Sequence, residues 1–282
     1  MNFLVLLVAV LLSEWLGTQP AIQRDQWFFH WRRWLAGLPF LMGRPRLSRA
    51  LVLLVPVSIL ALLLHFCGNW LFGLSAVAIN LLVLLYAFGR DTVDDNIDLY
   101  RDVLARGDVQ AAWHEAAQLG VEDADSWPEL HNRAQTAVAY LCFERYFPVL
   151  FWFLLLGAPG ALFYRLVSLL ASEEKSEVEK SKDSAVVSRQ LLWVLEWLPL
   201  RLLGPVLALV GNFPATMRAW RESLFGVAES SAQVLAGMVR GALWVEPSPS
   251  PAESALEVDA LRALFRRALI FTVGLIALLE LL

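Results

Sequence analysis

One apolar segment, Phe147 to Tyr164, carries no charged residue and is interrupted by Gly157-Ala158-Pro159-Gly160. A run of this kind is long enough to enter a bilayer core of about 30 Å. Glycine and proline break helices, and broken backbone at membrane depth is tolerated only where protein or water satisfies the released amide groups. The segment therefore predicts an integral membrane protein organised around a broken, or re-entrant, membrane helix.

The composition agrees with a membrane protein, because 58% of the 282 residues are hydrophobic and the mean hydropathy is +0.55. Soluble domains average about 45–50% apolar residues. The net charge of -4 argues against a nucleic-acid partner. Cys67 and Cys142 have no metal-binding spacing, and the sequence contains neither a phosphate-binding glycine loop nor a catalytic serine motif. We therefore expect no catalytic residue, no metal and no resident cofactor.

Further apolar runs predict additional membrane helices. The six runs are residues 3–12, 51–66, 70–88, 147–170, 191–213 and 258–282. The second and third are separated by only Cys67-Gly68-Asn69, which predicts a transmembrane hairpin. We expect an all-α, polytopic membrane protein with four to six membrane helices, forming one domain over residues 1–282.

Residues 89–140 are polar and show helical periodicity. Ile97, Tyr100 and Leu104 recur at helical spacing, and Asp108 follows a glycine at a position suited to a helix N-cap. The stretch predicts a small helical insertion that faces the cytoplasm.

The orientation follows from residues 17–49, which contain six arginines and one acid. The positive-inside rule places this stretch in the cytoplasm, and its aromatic and basic residues 27–34 predict an anchor on the lipid bilayer. Two topologies are consistent with this. Six segments cross if 147–170 and 191–213 both span; four cross if 147–170 is re-entrant and 191–213 lies on the surface. We favour the second, since it gathers the polar motifs on one face.

Polar residues beside the membrane segments are candidates for a ligand-binding site. Acids one helical turn apart share a face, and broken membrane helices build ligand cavities in transporters. The candidates are Arg90, Asp91, Asp94, Asp95, Glu144, Gly157, Pro159, Gly160, Tyr164, Arg165 and Arg201. We predict that Arg90, Asp91, Glu144, Tyr164 and Arg165 line one cavity on the cytoplasmic side. The simpler alternative is a solvated turn at the membrane exit and a kink beside a snorkelling Arg165.

The segment Leu155 to Arg165, Leu-x-Gly-Ala-Pro-Gly-Ala-Leu-Phe-Tyr-Arg, resembles the signature of the CbiB/CobD membrane proteins of cobalamin biosynthesis. Weaker similarities follow in the same order at 107–112, 197–202 and 232–242. The Gly-Arg-Asp-Thr run from Gly89 and the Phe-Glu-Arg-Tyr-Phe run from Phe143 resemble the AmpE branch of that superfamily.

The AmpE resemblance implies an inner-membrane protein linked to β-lactamase induction. It also implies a regulatory modulator that acts alongside the amidase AmpD in peptidoglycan recycling. The predicted cavity would then bind a muropeptide fragment, a nucleotide or a protein partner.

Departures from the synthases of the superfamily bear on catalysis. Where the synthases carry Thr-Leu-Asp, this chain has Val167-Ser168-Leu169, and Trp193 to Glu196 replaces an Arg-Leu-Asp-Asp run. Synthesis of an amide bond with ATP needs carboxylates that hold magnesium against phosphate. We therefore expect a regulatory protein rather than an enzyme. The alternative is a CbiB-like synthase that uses magnesium and ATP.

Overall fold

The computed structural model describes residues 2–16, 25–39, 44–67, 73–89, 93–121, 124–176, 182–224, 226, 229–243 and 250–281. These residues form twelve α-helices, and no strand occurs among them. In chain order the helices are α1 (Asn2–Leu16), α2 (Gln26–Ala36), α3 (Pro45–Cys67), α4 (Leu74–Phe88), α5 (Val93–Ala105), α6 (Val109–Gln118), α7 (Trp127–Leu156), α8 (Ala158–Ser176), α9 (Lys182–Val210), α10 (Phe213–Ser223), α11 (Ser231–Leu243) and α12 (Pro251–Leu281).

The structure confirms the predicted all-α membrane protein. Within the described ranges, three helical stretches are long and apolar enough to cross a bilayer: Arg46–Phe66, Trp127–Leu156 and Val187–Val210. Two shorter apolar helices, Phe3–Ser13 and Leu74–Phe88, accompany them. The second stretch contains the start of the segment predicted to be broken, and the third coincides with the run predicted either to cross or to lie on the surface.

The helices pack as two compact units. Unit 1 comprises Met1–Gly89 and Pro148–Leu195, and unit 2 comprises Arg90–Phe147 and Glu196–Leu282. The division falls within α7 and within α9. The predicted insertion belongs to unit 2 except for its first residue, and the single domain predicted for the whole chain stays a prediction.

In unit 1, α8 packs against α3 and α4, while α1 packs against α4 and α2 against α3. α3 and α4 contact each other, as the predicted transmembrane hairpin requires, and their connection lies outside the described residues. That both helices cross a bilayer stays a prediction. Leu54, Ile59 and Leu62 on α3 are exposed, which suits a helix surrounded by lipid tails.

The predicted break is confirmed at a single residue of unit 1. α7 ends at Leu156 and α8 begins at Ala158, with Gly157 between them at a φ of 70°. Residues with a side chain rarely adopt this left-handed conformation. A Cβ atom on Gly160 would collide with the carbonyl oxygen of Trp152, so a second glycine lets the first turn of α8 approach the last turns of α7.

In unit 2, α5 packs against both α6 and α12, and α11 packs against α10 and α12. The apolar face predicted for α5 is confirmed, since Ile97, Tyr100 and Leu104 are buried. The predicted N-cap is also confirmed, because the Asp108 carboxylate accepts the backbone N–H of Ala111 at 3.0 Å. The last helix was predicted to begin at residue 258 but begins at Pro251, because proline is well accommodated in the first turn of a helix.

Candidate functional site

Arg165 is buried and lies in a partly buried polar network of unit 1 that joins three helices. It projects from α8 and its Nη2 donates to Oδ2 of Asp25 at 2.8 Å. The other oxygen of Asp25 accepts from the hydroxyl of Tyr86 at 2.8 Å, near the end of α4. The Tyr86 oxygen in turn accepts from Nε1 of Trp27 at 3.1 Å. Two donors thus converge on one carboxylate, and α2, α4 and α8 meet there.

The network removes charged groups from water, which costs desolvation free energy. The Arg165 side chain is 4% exposed and the Asp25 side chain 20% exposed. Taking such ions out of water costs several kcal/mol each unless they are paired and hydrogen-bonded. Asp25 also occupies the N-cap position of α2 without making a side-chain cap bond, which forgoes about 1 kcal/mol. Its carboxylate serves Arg165 and Tyr86 instead.

A second ion pair joins the same two helices. Arg32 on α2 pairs with Glu173 on α8. Arg32 lies seven residues after Asp25, and Glu173 lies eight residues after Arg165, so both separations are about two helical turns, or roughly 10–12 Å. The two pairs, with opposite polarity, are called the α2–α8 clasp below. They connect α2 and α8 at two levels, with the two chain segments running in the same direction.

The remaining unit 1 candidates surround the break. Tyr164, next to Arg165 on α8, is buried. Pro159 is the second residue of α8, and Gly157 and Gly160 are the two glycines of the break described above. These residues shape the backbone from which Arg165 projects.

Other candidates lie in unit 2. Asp94 on α5 forms an ion pair with Arg145 on α7, whose guanidinium carbon lies 5.0 Å from the centre of the Tyr146 ring. Glu144 is buried beside Arg145 in the chain, whereas Asp95 is exposed. Arg90 and Asp91 lie outside the described residues. The single cavity predicted from the sequence draws on both units and stays a prediction.

Arg201 has a structural explanation within unit 2. Its Nη2 donates to the carbonyl oxygens of Ser223 at 2.9 Å and Gly226 at 3.1 Å. These oxygens lie at and beyond the end of α10, where carbonyl groups lack helical partners. Trp220 donates through Nε1 to the Arg201 carbonyl at 2.8 Å. The buried arginine therefore closes the C-terminal end of α10, and its part in ligand binding stays a prediction.

Unit 2 contains a buried network that the sequence did not predict. The hydroxyl of Tyr100 lies 3.2 Å from Nδ1 of His131, and Nε2 of His131 lies 2.9 Å from Oε2 of Glu257. Gln135 donates to the same carboxylate. Nε2 of His131 and the Gln135 amide thus meet at the same oxygen of Glu257. Burial, followed by the charge of Glu257, raises the pKa of Tyr100 well above its ordinary value. The network links α5, α7 and α12.

The missed residues carried weak signals in the sequence. Asp25 was only the single acid of a basic stretch, although a lone carboxylate among arginines and tryptophans could have suggested a pairing. His131 and Gln135 share a helix face at i,i+4 spacing. Glu257 follows His131 by more than a hundred residues, so no local pattern connects them. Among the described residues, no three His, Cys, Asp or Glu side chains cluster as metal ligands.

The sequence of the chain is similar to those of known proteins. The family model described as "Regulatory signalling modulator protein AmpE" matches residues 7–282. "Protein AmpE" of Shigella flexneri is 25% identical over 209 residues, which cover 71% of this chain and 73% of that protein. No solved structure matches the chain at a significant level.

Proteins named for a different function are also similar to this chain. "Cobalamin biosynthesis protein CobD" of Chromobacterium violaceum is 28% identical over 150 residues, covering 52% of this chain and 48% of that protein. The protein of the same name from Stutzerimonas stutzeri is 25% identical over 169 residues, covering 59% and 54%. The chain thus spans about half the length of these two relatives.

Proposed function

Because the chain belongs to the AmpE family of regulatory signalling modulators, we propose that it modulates β-lactamase induction from the bacterial inner membrane, in connection with peptidoglycan recycling. The family match over residues 7–282 carries this proposal. The apolar helices support a multi-pass position in the membrane. A functional link to the amidase AmpD forms part of the proposal.

Arg165 is the residue through which we expect the protein to recognise its ligand or partner. Ionisable residues within membrane segments are costly and usually mark functional sites. Its guanidinium matches the geometry of carboxylate and phosphate groups, and the Asp25 carboxylate accepts from it here. Muropeptide fragments carry carboxylates and nucleotides carry phosphates, so both ligand classes suit this site.

Genetic complementation tests the proposed function. The chain would be expressed in a bacterium that has an inducible β-lactamase and lacks its own AmpE-family gene. β-Lactamase activity would be measured before and after exposure to a sub-inhibitory β-lactam. We expect the chain to restore the parental induction ratio. A ratio that stays at the level of the deletion strain, despite normal amounts of protein in the membrane, would contradict the proposal.

A second candidate function is favoured by the similarity to the cobalamin biosynthesis proteins. Under it, the chain would form an amide bond with magnesium and ATP. The segment Val167-Ser168-Leu169 lacks the carboxylate that the synthase pattern carries there. Purified full-length protein in detergent would be given magnesium, ATP, an amine and a carboxylic acid. The regulatory proposal expects no magnesium-dependent ATP consumption; sustained turnover would favour the synthase.

A further inference from the structure

The outward face of α2 combines aromatic and basic side chains. Its members, called the α2 face, are Gln26, Trp27, His30, Arg33 and Trp34, and all five are exposed. Trp27 is 41% and Trp34 59% exposed, two turns apart on one stripe of the helix. Phe28 and Leu35 on the opposite side are buried. The helix thus buries one side in unit 1 and leaves the indoles of Trp27 and Trp34 partly exposed on the other.

The position of α2 is fixed by a contact to a membrane helix. Nε1 of Trp31 donates to the carbonyl oxygen of Val52 at 3.3 Å. Val52 lies in the second turn of the apolar stretch that begins at Arg46. Because α2 contacts the beginning of this stretch, it lies where α3 would enter the bilayer, at the depth of the lipid headgroups. Tryptophan is enriched at this depth in membrane proteins.

Charge then selects the kind of surface that the α2 face fits. None of its five residues is acidic, and the nearby acids Asp25 and Glu173 are engaged in the α2–α8 clasp. Arg33 is exposed, as are Arg44 and Arg46 at the start of α3. The surroundings therefore present basic groups whose natural counterions are phosphates.

His30 adds a further polar atom. Its Nδ1 lies 2.7 Å from the carbonyl oxygen of Gln26. A carbonyl oxygen only accepts, so Nδ1 carries the proton and Nε2 is left as the outer polar atom of the ring.

We propose that the α2 face binds anionic phospholipid headgroups at the membrane surface. Trp27 and Trp34 insert beside the lipid glycerol groups, and Arg33 with Arg46 binds the phosphates. The α2–α8 clasp holds the helix in place for this contact. The proposal does not depend on the regulatory function proposed above, because lipid binding is measured without any induction assay.

Native mass spectrometry of the full chain tests the lipid preference. The delipidated protein would be titrated with phosphatidylglycerol or phosphatidylcholine, and the dissociation constant of the first bound lipid measured. We expect tighter binding of phosphatidylglycerol, weakened about fivefold by Arg33→Gln and again by Arg46→Gln. Phosphatidylcholine, which has the same phosphate but no net charge, should bind more weakly and lose less affinity in both variants. Arg240→Gln, which alters an exposed arginine of α11, is the matched control. Equal binding of both lipids, or equal effects of the three variants, would overturn the proposal.

Spin labelling tests the placement of the α2 face in vesicles that contain both lipids. A nitroxide at Trp34→Cys would be compared with labels at Ile59→Cys and Gln118→Cys, in a chain whose native cysteines are replaced by alanine. We expect the immersion depth of the label at Trp34→Cys, measured from collisions with oxygen, to lie between those of the two other labels. The label on α3 should lie in the lipid and the label on α6 in water. Full exposure to water would refute the placement. Dipolar broadening at Trp34→Cys would show a second copy of the chain there instead, and would also refute it.

Discussion

At the scale of single residues, the fold depends on two uncommon structural features. One is the buried ion pair of Asp25 and Arg165. The other is the pair of glycines that lets α8 start directly after α7. Both were accessible to prediction to different degrees. The break at Gly157 could be predicted because this glycine lies close to a proline in an apolar run. Arg165 could be chosen as a candidate, but its ion-pair partner could not be predicted, since Asp25 lies 140 residues earlier.

The ion pair predicts strong coupling between its two partners. Asp25→Asn should destabilise the protein by up to about 3–5 kcal/mol, because it leaves the buried Arg165 charge without its counterion. Arg165→Gln should cost less, because the Asp25 carboxylate that it leaves unpaired is 20% exposed. The double variant should lose much less than the sum. Unfolding in mixed micelles would give the four free energies of the cycle. Additive losses would show that the two side chains do not interact energetically.

The glycines predict an ordered series of alanine variants. Gly160→Ala should destabilise most, by about 1–3 kcal/mol, because the new methyl group meets the Trp152 carbonyl oxygen. Gly157→Ala should cost about 1–2 kcal/mol for its left-handed backbone. Gly237→Ala on α11 has nothing within 4 Å of the added atom and should stabilise slightly. The same unfolding assay ranks them, and equal stabilities of the Gly160 and Gly237 variants would disprove the close approach.

At the scale of helices, sequence patterns predicted those features that depend on residues close together in the chain. The buried face of α5 and the cap of α6 follow from spacing within a dozen residues. The apolar run that predicted α12 begins at residue 258, whereas the helix begins at Pro251, because its first two turns carry few apolar residues. The network of Tyr100, His131 and Glu257 joins three helices that are distant in sequence. Such pairings depend on tertiary packing, which no local pattern encodes.

Arg201 provides the test at this scale. Arg201→Met keeps the apolar stem but removes the bonds to Ser223 and Gly226. Hydrogen bonds from charged groups contribute about 1.5–3 kcal/mol. We expect faster amide hydrogen exchange in the last turn of α10 of this variant. Mass spectrometry of the peptides that contain this turn would measure the exchange. Arg240→Met, an exposed arginine on α11, should leave that turn unchanged. Equal protection of α10 in both variants would contradict the capping interpretation.

At the scale of the molecule, the α2–α8 clasp bears on topology. Arg165 pairs with Asp25, and Glu173 pairs with Arg32. Asp25 and Arg32 belong to the basic stretch that the positive-inside rule assigns to the cytoplasm. The later part of α8 is therefore expected on the cytoplasmic side, which favours the re-entrant topology over the one with six crossings.

Cysteine labelling in bacterial cells would test this expectation. Ser172→Cys near the end of α8 should react with a membrane-impermeant maleimide only after lysis, like Gln118→Cys in the predicted cytoplasmic insertion. Labelling of Ser172→Cys in cells with only the outer membrane permeabilised would support the topology with six crossings. Both side chains are exposed, so their reactivity reports the side of the membrane.

The β-lactamase induction ratio of an Arg165→Ala strain, compared with an Arg240→Ala strain, tests the functional account most directly. Membrane fractionation would first establish that both variants are inserted in equal amounts, and an Asp25→Asn strain, which loses the same ion pair but keeps Arg165, should retain the regulatory effect. We expect Arg165→Ala to lose the regulatory effect completely and Arg240→Ala to retain it. An unchanged induction ratio in the Arg165→Ala strain would show that the buried arginine of α8 is not where this protein recognises its ligand or partner.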